Sequence, residues 1–129
     1  MPIPAALLSL RAALCIDGLA CIAMGLALAA LNEILAEPTG LSSAFLQATG
    51  ALLVPLGFYI VAVAWPRTPP RYGAISVVWG NLFWVLASFG IVAFGIVEPT
   101  ALGTALIVAQ AAWVTGIAVW EAKLLAKAP

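Results

Sequence analysis

The residue in this chain best placed to do chemistry is Asp17, set in Cys15-Ile16-Asp17-Gly18-Leu19-Ala20-Cys21 within an otherwise apolar run. A carboxyl group there has three uses. It can be a structural hydrogen-bonding acid, an intramembrane proton or cation site, or a contact to a partner subunit. The other polar side chains in apolar stretches are Tyr59, Asn81, Ser88, Gln110 and Thr115. At a helical rise of ~1.5 Å per residue, Asp17 lies ~9 Å beyond Arg11 and Tyr59 ~9 Å before Trp65, while Asn81 and Gln110 lie ~14 and ~17 Å in. Asp17, Tyr59, Asn81 and Gln110 therefore make up the candidate intramembrane polar site. Glu121 is read as the marker of the membrane boundary at the end of the fourth span, which leaves Asp17 as the one acid taken to lie within the membrane.

Other chemistry is scarce. The chain has no histidine, the commonest metal and haem ligand and the usual acid-base catalyst. It contains no glycine-rich phosphate loop, no nucleophile elbow and no cysteine pair at metal-binding spacing. Cys15 and Cys21 lie on different faces of one helix, which rules out a disulfide between them and suits them to packing. No catalytic residue, metal or cofactor is expected, and no enzymatic activity.

The elements that must position these residues follow from composition. The chain has 129 residues, of which 65% are hydrophobic and 8% charged, with a mean hydropathy of +1.18. Soluble domains carry roughly a quarter charged residues, so an integral membrane protein is predicted. Apolar stretches at about 10–31, 44–65, 72–97 and 101–122 each approach the ~20 residues needed to cross a bilayer as a helix. They lack the period-2 alternation of barrel strands. The predicted fold is all-α: a polytopic four-transmembrane-helix bundle occupying residues 1–129 as a single domain. The first span is too long for a secretory signal and holds an acid, so its retention is expected.

Charge orients the bundle. Arg11, Arg67, Arg71, Lys123 and Lys127 fall on one side of a four-span topology, and Glu33, Glu37 and Glu98 on the other. The positive-inside rule then puts both termini in the cytoplasm, which in a bacterial host means the inner membrane. The short connection Pro66-Arg67-Thr68-Pro69-Pro70-Arg71, flanked by the interfacial anchors Trp65 and Tyr72, predicts that spans two and three are antiparallel neighbours. The first outer connection, from Asn32 to Ser43, includes the helical signal Glu33-Ile34-Leu35-Ala36 and is expected to lie on the outer surface or cap the bundle. Glu37-Pro38-Thr39 and Glu98-Pro99-Thr100 recur, each read as preceding a span. Two readings stand: helix capping alone, or a duplication making two parallel helical-hairpin repeats.

Helix faces predict which way Asp17 points. Asp17, Cys21, Gly25 and Ala29 form a stripe of small residues where another helix can approach closely. On span three, Asn81, Ser88 and Gly95 share a face, the natural partner for an acid that would be expensive to leave in lipid. Pro55 removes a helical hydrogen bond and is expected to kink or loosen span two. Trp79, Trp84 and Trp113 are read as packing or lipid-facing aromatics.

Arg11 with Asp17-Gly18, and Pro99-Thr100-Ala101-Leu102-Gly103-Thr104-Ala105, resemble a pattern in small uncharacterised four-span bacterial integral membrane proteins. That resemblance implies no activity. Fluoride channels and small multidrug-resistance transporters share the length and span count, but the glycine-rich and Phe-Thr-Thr-Phe-Ser-Thr-like segments of the first are absent. Asp17 does not lie in the first-helix glutamate motif of the second, and the two-sided charge bias opposes the dual topology of both. Two functions are carried forward. The first is a non-catalytic scaffold or accessory subunit, its partners being the lipid bilayer and either its own copies in a homo-oligomer or a larger membrane protein complex, with no nucleic acid. The second is a minimal proton-coupled transporter or channel using Asp17, ranked lower because Asp17 has no evident second ionisable relay toward the outer face.

Overall fold

The computed structural model describes residues 2–128, which form four helices: α1 (Ala5–Thr39), α2 (Ser43–Ala64), α3 (Arg71–Ala93) and α4 (Ala101–Lys127). All four are long and apolar enough to cross a membrane, and no strand occurs among the described residues. The helix ends follow local chemistry. α1 stops at Gly40, whose φ of 72° is open to glycine, and whose N–H donates to the Ala36 carbonyl at 2.9 Å. Ser42 and Thr100 cap α2 and α4 by accepting from the backbone N–H groups of Phe45 and Gly103 at 3.1 Å each.

The connection between the first two helices differs from expectation. α1 runs on through Asn32–Thr39, so only residues 40–42 separate it from α2. At ~1.5 Å per residue its 35 residues extend ~52 Å, well beyond a hydrocarbon core of ~30 Å. α3 ends earlier than its apolar stretch suggested. Beyond Ala93 the chain turns through Phe94 and Gly95, the latter at φ 68°, before α4. α2 remains helical through Pro55.

Lipid tails are as apolar as leucine, so close van der Waals packing and interhelical hydrogen bonds must hold such helices together. α1 and α2 achieve this through paired glycines. A Cβ on Gly18 would lie 2.9 Å from the Gly57 carbonyl oxygen, and one on Gly25 would lie 2.8 Å from that of Gly50. Residue numbers rise on one helix as they fall on the other, so the pair is an antiparallel hairpin with its backbones in contact. α3 and α4 form the second hairpin, and α1 packs on α4. The expected partnership of α2 and α3 is slight. They meet near their connection, where the Tyr59 hydroxyl and Ser76 Oγ are hydrogen-bonded at 2.6 Å, and otherwise pack sparsely. A short connection fixes the end of a helix pair, whereas its length needs small facing residues, which α2 spends on α1.

The cationic end is closed by one apolar core built from Leu10, Leu14, Ile60, Val63, Ala64, Ala74, Val77 and Leu125. Both hairpins are bracketed alike there. Arg11 Nε and Nη2 donate to the Ala64 and Trp65 carbonyls at 2.9 Å each, and Arg71 Nη1 donates to the Leu125 carbonyl at 3.4 Å. An arginine near the start of each hairpin thus covers orphan carbonyls at its end. The likeness fails at the acidic end. Pro38 lies inside α1 and Thr39 ends it, whereas Thr100 caps α4, so only the second Glu-Pro-Thr segment precedes a helix. The two segments meet: Thr100 N–H donates to the Thr39 carbonyl at 2.9 Å and Thr100 Oγ1 to the Pro38 carbonyl at 2.6 Å. The carbonyl end of one helix satisfies the N–H end of another.

Candidate functional site

Asp17, Asn81 and Glu121 converge from α1, α3 and α4 just inside the apolar core of the cationic end. All three are buried, with exposures of 3%, 8% and 0%. Asn81 Nδ2 donates to Asp17 Oδ2 at 2.8 Å and to Glu121 Oε1 at 3.0 Å, so one amide nitrogen bridges two carboxyl groups. Cys21, one turn along α1, places its thiol 3.8 Å from Asp17 Oδ1. The two carboxyl groups are within hydrogen-bonding reach of each other, and among the described residues no cation lies beside either. Glu121 Oε2 is buried without a hydrogen-bond partner among the described residues.

Two of the four candidate residues are therefore brought together, and two are not. Tyr59 is half-exposed and engaged with Ser76. Its depth matches that of Asp17, but its direction does not. Gln110 belongs to a separate network two turns further along α3. Its Oε1 accepts from Trp84 Nε1 and its Nε2 donates to Ser88 Oγ, both at 3.0 Å, while Ser88 Oγ donates to the Trp84 carbonyl at 2.8 Å. The expected inward face of α3 is present at Asn81 and Ser88; Gly95 falls in the turn after the helix.

Glu121 corrects the count of one acid in the spans. α4 continues to Lys127, so Glu121 is more than a turn from its end and wholly buried. Ile117, Glu121 and Leu125 recur every four residues, and Ala111, Ala118 and Leu125 every seven, all buried on one side of α4.

The electrostatics of the site are dominated by the pair. Two unit charges ~4 Å apart repel by about 4 kcal/mol at an effective dielectric of 20, on top of the desolvation of each. Asn81 offsets part of this through charge-assisted hydrogen bonds. What the arrangement can do chemically is hold a proton or a small cation between carboxyl oxygens. No triad of nucleophile, base and orienting group is assembled here, and no group of three acidic, cysteine or histidine side chains suited to a metal ion occurs among the described residues.

No family model, no curated protein and no solved structure matches this chain.

Proposed function

We propose that this protein is a non-catalytic scaffold or accessory subunit that acts by occupying and organising membrane space. The observation that carries this reading is the sealing of its polar core. Asp17 and Glu121 are 3% and 0% exposed. The hollows between α3 and α4, at Ile75, Trp79 and Leu82, and between α1 and α4, at Ile16, Trp113 and Trp120, open on the outer surface and are not lined by either acid. The outward faces carry large apolar side chains, among them Phe58, Trp79, Phe83, Leu86, Trp113 and Trp120, fit for lipid or for other membrane helices. The assembly is a homo-oligomer or a larger membrane complex in the bacterial inner membrane, with both termini cytoplasmic, as the five cations at one end of the bundle favour.

A second reading, a proton-coupled transporter or channel, is favoured by the Asp17–Asn81–Glu121 cluster, which supplies a second ionisable group beside Asp17. It ranks below the first because a carrier's site opens alternately to the two sides. Purification from native membranes in mild detergent, run in parallel with ion flux in proteoliposomes, separates the two. Fixed-stoichiometry association with partner chains or further copies, without flux, is the expected result. A proton or substrate current in the wild type that is abolished in a folded Asp17→Asn variant would overturn the scaffold reading.

A further inference from the structure

We infer that Asp17 and Glu121 form a binding site for a single proton, shared between their carboxyl groups and held in place by the Asn81 amide. The inference starts from the hydrogen-bond inventory of the two acids. Asp17 Oδ2 and Glu121 Oε1 are both satisfied by Asn81 Nδ2, and Asp17 Oδ1 faces the Cys21 thiol. That leaves Glu121 Oε2, on a residue with no exposed surface, as the one oxygen of the four without a donor among the described residues. A buried acceptor with no donor is costly, and a buried carboxylate more so. A carboxyl proton between two acids turns one acceptor into a donor, supplying the missing hydrogen bond and removing one of two like charges at once.

The surrounding elements offer no alternative compensation. From α1 the nearest ionisable neighbour is the Cys21 thiol, and from α3 the amide of Asn81 carries no charge. α2 has one ionisable residue, Tyr59, which is turned to Ser76. Arg11 and Arg71 are committed to the carbonyls that end α2 and α4. A proton needs only two facing carboxyl oxygens, whereas a bare sodium or potassium ion needs a larger oxygen shell, and the amide here presents its nitrogen to both acids. The site joins α1 of the first hairpin to α3 and α4 of the second, so the proton sits at the seam between hairpins.

This site stands apart from both readings of the protein's role, since a scaffold and a carrier can each hold a proton. The test is infrared spectroscopy of the full-length protein in lipid bilayers at neutral pH, reading the carbonyl stretch of protonated carboxyl groups. The expected result is a band equivalent to one proton per chain, lost or shifted in Asp17→Asn and in Glu121→Gln, and retained in the triple variant Glu33→Gln, Glu37→Gln, Glu98→Gln. Absence of the band in the wild type overturns the proposal whatever the folding of the variants. So does a band that neither core substitution changes. Carboxylate bands that shift on exchanging sodium for potassium, with no protonated band, would assign a cation site and overturn it as well.

Discussion

Asn81 donates from one nitrogen to two carboxyl groups, so its removal leaves both acids buried with less compensation than before. Asn81→Leu is expected to destabilise the bundle by about 2–4 kcal/mol, within the range for stripping partners from buried charged or polar groups. Unfolding in mixed detergent micelles measures it, and a variant as stable as the wild type would show that the bridging bonds contribute nothing. Tyr59→Phe is the matching control. Its hydroxyl bonds only Ser76 at a half-exposed site, so a loss of under about 1 kcal/mol is expected, near the average for interhelical hydrogen bonds in membranes. A large loss there would mean that Tyr59 supports more than its bond to Ser76. The sequence marks Asp17 and Asn81 by type and face, but the side-chain directions that exclude Tyr59 and admit Glu121 depend on how each helix is rotated. Periodicity read along one helix leaves that rotation open when apolar residues occur all round.

The elements differ in how they tolerate change, and the glycines show it. Gly57 faces the Gly18 carbonyl, and a Cβ there would lie 2.7 Å from that oxygen, whereas Gly80 and Gly116 have no neighbour within 4 Å of an added Cβ. Gly57→Val is expected to force α1 and α2 apart and destabilise by about 3 kcal/mol, the upper end of overpacking losses. Gly80→Ala should be neutral or stabilising by up to about 1 kcal/mol, because alanine is the better helix former and nothing obstructs it. The same micelle unfolding compares them, and equal losses at the two positions would refute the glycine-paired hairpin. At the acidic end, Thr100→Val removes both the cap of α4 and the hydroxyl donation to Pro38. A loss of about 1–2 kcal/mol is expected, with faster amide exchange at Gly103 as its local sign. Unchanged exchange there would remove the cap from the account of how α1 and α4 are joined.

For the whole molecule, the charge partition makes orientation testable. With Cys15 and Cys21 replaced, single cysteines at Glu33, Glu37 or Glu98 should react with impermeant reagents only from outside the cell, and cysteines at Arg67 or Lys127 only after the membrane is opened. The reverse pattern would invert the topology. The connections between the helices are short, at residues 40–42, 65–70 and 94–100.

The sequence alone determined that the chain is all-helical with four helices long and apolar enough to span a membrane, because hydropathy over ~20 residues leaves no other way to satisfy a backbone in lipid. It also determined that Asp17 turns inward, because a lipid-facing carboxylate is too expensive. Tertiary structure decided the rest. It placed α1 against α2 through Gly18–Gly57 and Gly25–Gly50, left α2 and α3 loosely joined, and drew two Glu-Pro-Thr segments distant in sequence into one junction. It also brought Glu121 under the same amide as Asp17. These outcomes depend on the rotation and partnership of helices, and hydropathy, being nearly uniform around each helix here, specifies neither.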